Sequence, residues 1–404
     1  MYGSIKNDLA EALAGIRRDG LYKAEAVIST PQGATIGVEG ERVLNLCANN
    51  YLGLADDPTL VSAAKAALDR WGFGVASVRF ICGTLEIHKE LESKIAGFLH
   101  TDDAILYGSC FDANGGLFET LLGPDDAVIS DELNHASIVD GCRLSRAETF
   151  VYRHGDVEHL AWGLREAEGR GALIVTDGVF SMDGDIAPLE ELVRLARRHD
   201  CRLMVDEAHA TGALGPGGRG SVAAAGLSGE VDVVMGTLGK ALGSYGAYVC
   251  ASPEIVDYLI NAARPFVFST APPPPVVAAA LAALELLESH PHRVERLQAN
   301  AKTLREALVA EGLAAGGSDT QIVPVEVGDA ERTMELSKRI LERGVFAQGI
   351  RPPTVPEGSS RLRFTVMATH RTGELQRAAK LIGAAAREMG IAAAPPADSL
   401  ALAA

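Results

Sequence analysis

The chain is 404 residues long with 47% hydrophobic and 22% charged residues, enough to bury a large core in two or so structural units and too apolar for a mainly disordered polymer. A formal net charge of −16 argues against a nucleic-acid or anionic-membrane surface and leaves a small molecule as the expected partner, with a local basic pocket for a phosphorylated ligand still compatible. Six cysteines, Cys47, Cys82, Cys110, Cys142, Cys201 and Cys250, are scattered without a C-x-x-C pair; they indicate neither a disulfide framework nor a zinc site, no metal is expected, and they suit a reducing cytoplasm.

Residues 1–9 lack the basic and apolar regions of a signal peptide, and no apolar run is long enough to span a bilayer, so a cytoplasmic location is expected. Residues 1–50 read as an N-terminal segment and 51–285 as a large α/β domain. Within that domain short β-rich runs alternate with helical stretches, at 104–107, 127–130, 149–152, 173–176, 203–206, 231–235 and 247–251. Continuous apolar strands such as Ala172-Leu173-Ile174-Val175 imply burial on both faces, which a mainly parallel central sheet covered by helices provides. A proline run at 272–275 precedes a long helix at 276–288, along which the domain change is expected. Residues 286–391 then read as a smaller α+β domain, with helices around 294–311 and 332–342, a strand at 322–327 and a further segment at 360–366. Small residues and prolines from 392 to 404 predict a disordered tail.

Polar groups gather just past the expected strand ends, where ligands of parallel α/β sheets bind: Gly108-Ser109, His135, Asp177 with Ser181, Asp206 with His209, and Thr237 with Lys240. A reachable lysine in the turn Thr237-Leu238-Gly239-Lys240 and a buried acid, Asp206, are the pair that pyridoxal phosphate (PLP) needs. The amine forms a Schiff base, and the acid keeps the pyridine nitrogen protonated. Gly108-Ser109-Cys110-Phe111 turns a strand into a helix, and the free N–H groups of that start make an anion site as readily as a simple tight turn. Thr237 could add a hydroxyl to the same phosphate. His135 and His209 each read either as loop histidines or as groups stacking on, and hydrogen-bonding to, a planar cofactor. The loop Gly215-Pro216-Gly217-Gly218-Arg219-Gly220 matches G-x-G-x-x-G but does not join a strand directly to a helix, and Lys240 stands where the ribose-binding acid belongs. Gly239-Lys240 fails as a P-loop because Val234 and Ala241 occupy its other required positions.

Four segments together, Asn49-Asn50-Tyr51-Leu52-Gly53-Leu54, Asp131-Glu132-Leu133-Asn134-His135-Ala136-Ser137, Thr176-Asp177-Gly178-Val179-Phe180-Ser181-Met182-Asp183-Gly184 and Thr237-Leu238-Gly239-Lys240, resemble the α-oxoamine synthases. The resemblance covers nearly the whole chain up to about Ile391. It implies a fold-type I PLP-dependent transferase, working as a homodimer with a shared active site, that condenses an amino acid with an acyl-CoA through an external aldimine and a quinonoid. By the same resemblance Lys240 forms the internal aldimine and moves protons, Asp206 pairs with the pyridinium nitrogen, and His135 stacks on the ring and touches substrate. Ser181 and His209 hold the phenolic oxygen, and Cys110 and Phe111 contact the cofactor. Thr237 binds the phosphate, which Ser269 and Thr270 reach from the partner subunit. Arg363 takes the amino-acid carboxylate with Asn50 nearby, a planar task suited to a guanidinium fork, whereas Arg361 is expected at the surface.

Two branches of the family share the finer motifs. Residues 73–84 and 109–116 resemble the members that join glycine to acetyl-CoA, giving 2-amino-3-oxobutanoate and CoA, and that reading is preferred. Residues 205–209, 241–248 and 269–273 look more like the members that join alanine to a pimeloyl thioester with loss of CO₂, the alternative. Outside the family, a PLP-binding regulator lacks room for an effector domain in residues 1–50, and an NAD-dependent oxidoreductase rests only on the 215–220 loop.

Overall fold

The computed structural model describes residues 2–392, and the tail expected at 392–404 lies, but for its first residue, outside them. By backbone contacts the chain divides into two compact units, one of Asn49–Gln298 and one formed by the residues up to Ala48 together with those from Ala299 onward. The dividing point falls inside the helix His292–Ala310, whereas the sequence reading drew its lines at 50/51 and 285/286.

The larger unit is built on a seven-stranded sheet. Its strands are β1 (Asp103–Tyr107), β2 (Asp126–Asp131), β3 (Glu148–Tyr152), β4 (Gly171–Asp177), β5 (Arg202–Asp206), β6 (Val233–Thr237) and β7 (Ala247–Ala251). The order across the sheet is β1-β7-β6-β5-β4-β2-β3. Strand β7 runs antiparallel to both neighbours, β1 and β6, and all other pairs are parallel. All seven expected runs are therefore strands.

Alternation along each strand feeds two cores. Val128, Leu173, Val175, Met204 and Met235 point to one face, where Leu117, Phe118, Ile138, Val256 and Leu259 from helices cover them. Ala127, Ile129, Ile174, Leu203 and Val205 point to the other, against Leu160, Leu164, Leu192 and Val193. Each such side chain contributes about 1.5–3 kcal/mol by leaving water, which is why both faces of these apolar runs must be covered. The covering helices begin where the sequence supplies caps. Ser109 Oγ accepts from Asp112 N at the start of Cys110–Leu121, and Asp156 does the same for His159 N at the start of Val157–Glu166. Pro273 caps the helix Pro274–Ser289, so the proline run ends inside its first turn, where prolines cost no hydrogen bond.

The smaller unit holds two three-stranded sheets. Thr35–Val38 and Glu41–Asn45 form an antiparallel hairpin, to which Val345–Phe346 adds in parallel. In the second sheet Ser360–Thr365 lies between Ile322–Gly328 and Gln348–Ile350, antiparallel to both. Every residue of that central strand is buried. Arg361 is only 7% exposed, which corrects its expected surface position: a central strand covered on both faces leaves no outward side.

Candidate active site

Five loops at the carboxyl ends of parallel strands in the larger unit meet around Lys240. The turn after β6 is tied down locally. Thr237 Oγ1 accepts from Gly239 N at 3.1 Å and donates to the carbonyl of Gly246, Leu238 N bonds the same carbonyl, and Gly243 N closes onto Lys240 O. This leaves the lysine side chain to reach back to β5, where its Nζ lies 2.9 Å from His209 Nε2. On its far side His209 Nδ1 lies 2.6 Å from Tyr51 Oη, which donates to Asn49 Oδ1 at 3.1 Å. A phenol has one proton, so Nδ1–H of His209 donates to Tyr51, and Nε2 is left as the acceptor for the lysine amine.

Beneath them stand two acids on adjacent rungs of the parallel pair β4 and β5, Asp177 opposite Asp206. Asp206 is 2% exposed and accepts from Ala208 N at 2.8 Å. Burial pushes its carboxyl up, while Lys240, the Ala208 N–H and His135 pull it back down. Asp177 accepts from His135 N at 2.8 Å and is pushed well above the carboxylate range, first by burial and then by Asp206. Both carboxyls are pushed up by burial, and of the two Asp206, which Lys240, the Ala208 N–H and His135 pull back down, is the one favoured to hold the charge.

His135 caps the helix Ala136–Leu144, its Nδ1 accepting from Ser137 N and lying 2.7 Å from Ser137 Oγ, which in turn accepts from Asn114 Nδ2. Burial lowers its pKa, with Asp206 acting against that and Lys240 with it, so the ring is held neutral. The Phe111 ring meets it edge-on at 5.9 Å. At the start of Cys110–Leu121, Ser109 takes the N–H groups of Asp112 and Ala113, while those of Cys110 and Phe111 have no carbonyl of their own helix to bond. The Cys110 thiol is pushed up to about 12 by burial and stays a thiol, with its sulfur 4.0 Å from Gly236 O.

Lys240, His209, Asp206, His135, Cys110 and Thr237 thus form one cluster. Ser181 sits in the 178–187 turn after β4, whose arms pair at Val179 and Ile186. Ser269 and Thr270 are exposed, and Thr270 pairs with Val78. Asn50 is 6% exposed; its Oδ1 accepts from Ala55 N at 3.1 Å, and its Nδ2 is buried with no hydrogen-bond partner among the described residues. Arg363 belongs to the smaller unit, 8% exposed in the middle of Ser360–Thr365. The 215–220 loop is structural. Glu207 accepts from Ser221 N, Ser221 Oγ and Val222 N, and Gly220, at φ +98°, leaves only 2.4 Å between a would-be Cβ and Glu207 Oε2. Among the described residues no group of three or more His, Cys, Asp or Glu is placed to hold a metal, and no helix is long and apolar enough to cross a membrane.

Tyr51, Asn49, Asn114 and Ser137 were not singled out for roles from sequence, and Asp177 only as a polar group past a strand end. All but Asn114 lie within the motif segments, but what they touch depends on pairings between distant strands and loops. The residues present fit PLP on their own chemistry. A buried acid feels Lys240 as the strongest influence favouring its charge, and a helix start offers unclaimed N–H groups for a phosphate.

A family model described as aminotransferase class I and II matches residues 41–382. The chain is 51% identical over 385 residues to the 8-amino-7-oxononanoate synthase of Citrifermentans bemidjiense, covering 95% of this chain and 99% of that protein. It belongs to the α-oxoamine synthases of this family. A second relative, the 2-amino-3-ketobutyrate coenzyme A ligase of Escherichia coli, is 47% identical over 397 residues, covering 97% of this chain and 99% of its own. Among solved structures, a serine palmitoyltransferase from S. paucimobilis with a bound PLP–myriocin aldimine superposes with a TM-score of 0.91 at 34% identity, covering 96% of this chain and 99% of that one. The 8-amino-7-oxononanoate synthase of Francisella tularensis follows at 0.75 and 29%, covering 86% and 99%. As an α-oxoamine synthase, the chain is a PLP-dependent acyltransferase with the fold-type I architecture.

Proposed function

We propose that this α-oxoamine synthase condenses glycine with acetyl-CoA to give 2-amino-3-oxobutanoate and CoA. The observation that carries the reaction class is the Lys240–His209 contact above the charged Asp206. When bound, PLP supplies an electron sink for a carbanion at the amino-acid Cα. Asp206 would pair with the protonated ring nitrogen, and His135, whose pKa burial lowers, would face the ring. The Lys240 amine, which lies 2.9 Å from His209 Nε2, would take the Cα proton of the amino acid and later return one. The first N–H groups of Cys110–Leu121 would hold the phosphate, joined by the Thr237 hydroxyl once it turns from the Gly246 carbonyl, and the Ser181 hydroxyl and His209 would address the phenolic oxygen. Asn50, with its unpaired amide, is suited to donate to the substrate carboxylate. For Arg363 as the carboxylate's main partner, the proposal rests on the family resemblance alone.

A homodimer completes the reading. Phe80, Ile81 and Phe268 are 63%, 68% and 71% exposed beside the Val78–Thr270 pair, an apolar surface suited to a second copy, through which Ser269 and Thr270 would reach the partner's phosphate. Residues 73–84 and 109–116, with the relative from Escherichia coli, support glycine and acetyl-CoA. The relative from Citrifermentans bemidjiense supports the second reading, alanine with a pimeloyl thioester. Purified protein assayed for CoA release with glycine and acetyl-CoA, and separately with alanine and pimeloyl-CoA, decides between them. Release from the first pair alone is expected, and release from the second alone would overturn the choice.

A further inference from the structure

His154, just past the end of β3, serves no role in the chemistry above. Its Nδ1 lies 3.0 Å from Asp131 Oδ1 and its Nε2 lies 2.8 Å from Asp185 Oδ2. Neither carboxylate oxygen can donate if charged, so both ring nitrogens carry hydrogen and the ring is an imidazolium. The two carboxylates raise its pKa from 6.5 to about 10. Asp131 is 2% exposed at the end of β2 and also accepts from Leu133 N and Gly155 N, so that side of the clamp is rigid. Glu132 Oε1 accepts from His154 N, which fixes the backbone, and Phe180 meets the imidazole edge-on at 4.4 Å.

Asp185 is on the 178–187 turn. Its carbonyl accepts from Phe180 N, and Phe180 O accepts from Gly184 N, so the place of Asp185 sets the course of residues 180–184, Ser181 among them. We propose that His154 is a positioning residue, a cationic clamp between Asp131 and Asp185 that fixes the turn carrying Ser181. The proposal rests on the reading that Ser181 addresses the phenolic oxygen of PLP.

The test measures PLP dissociation from the holoenzyme for wild type, Ser181→Ala, His154→Gln and the double variant, alongside amide hydrogen exchange of residues 179–186 in the apoprotein. His154→Gln is expected to weaken PLP about tenfold, the order seen when an outer partner of a ligating group is removed. The double variant is expected to be no weaker than the sum less a clear coupling, because both changes act through one hydroxyl. Exchange at Phe180 and Gly184 should quicken. If Ser181→Ala weakens PLP while His154→Gln leaves both binding and exchange unchanged, or if the two losses add in full, the clamp is refuted. If Ser181→Ala changes nothing, the assignment of Ser181 fails, and the exchange data still report whether His154 holds the turn. Should His154→Gln not fold, Asp185→Asn, which keeps a hydrogen-bond acceptor and removes the charge, is read by the same two criteria.

Discussion

Tyr51 Oη lies 2.6 Å from His209 Nδ1, although 158 positions separate the two residues. Through this contact the loop before the first helix of the larger unit sets the face that His209 turns to Lys240. Tyr51→Phe leaves the ring packed and removes only the oxygen, so His209 Nδ1 loses a fully buried partner. That costs about 1–3 kcal/mol, seen as a lowered denaturant midpoint. With the imidazole free to turn, kcat/KM is expected to fall by about tenfold or more, as 1.4 kcal/mol of positioning is worth a factor of ten.

Asp177 and Asp206 are both buried acids on neighbouring strands, yet their amide variants should behave differently. Asp206 is the member favoured to hold the charge and is proposed to pair with the ring nitrogen of PLP, so for Asp206→Asn kcat is expected to drop by about 10²- to 10³-fold, the range for a lost electrostatic partner. Burial and Asp206 push the Asp177 carboxyl well up, towards the neutral form that an asparagine imitates, and its oxygen accepts from His135 N, as an amide oxygen can. Asp177→Asn should therefore keep most activity. Steady-state kinetics on the two variants checks the contrast, and equal losses would show that Asp177 is also charged.

Arg79 and Glu92 form a buried pair at 2.9 Å, with side chains 5% and 3% exposed. Glu92 also accepts from Lys89 Nζ and from Leu106 N in β1. Arg79→Met removes the buried guanidinium and leaves Glu92 with Lys89 as its remaining cation, so it should cost up to about 3 kcal/mol, the lower end for a broken buried pair. Glu92→Gln, which keeps an acceptor for Leu106, should cost less. Chemical denaturation of the two variants orders them.

His370 is fully buried in the smaller unit, and burial lowers its pKa from 6.5 to about 4. Its Nδ1 accepts from Met367 N at 2.9 Å, which requires that nitrogen to be unprotonated. Below pH 6.5 the unfolded chain takes up a proton that the folded chain refuses. Stability from this group is therefore full above pH 6.5 and declines as pH falls towards 4, by at most about 3 kcal/mol. Urea midpoints at pH 7 and pH 4.5 should differ less in His370→Asn than in wild type, and an unchanged difference would remove His370 as a source.

Much of the fold was legible because each strand of the large sheet is a short apolar run closed by turn residues. The position of Ala247–Ala251 was not, since an antiparallel strand placed between β1 and β6 satisfies the same apolar pattern as a parallel one at an edge. The hairpin at Thr35–Val38 and Glu41–Asn45 escaped notice because the first two residues of its second strand, Glu41 and Arg42, are exposed and charged. At the site, lysine, acid and histidines stood out as reactive groups at strand ends. Tyr51 did not, and Asp177 stood out only as one more polar group past a strand end, because a phenol's partner and a carboxyl's proton are set by what folding brings beside them. Arg361 was misjudged for a related reason: charge suggests a surface, and nothing in the local pattern marks a strand as central.

The measurement that bears most directly on the whole reading is the site of covalent attachment. Protein purified with PLP, reduced with borohydride, digested and examined by mass spectrometry should carry the cofactor's mass on the peptide containing Lys240, and Lys240→Ala should show neither the label nor a visible absorbance band. A label on a different lysine, or none on wild type, would contradict the assignment of Lys240 as the anchor.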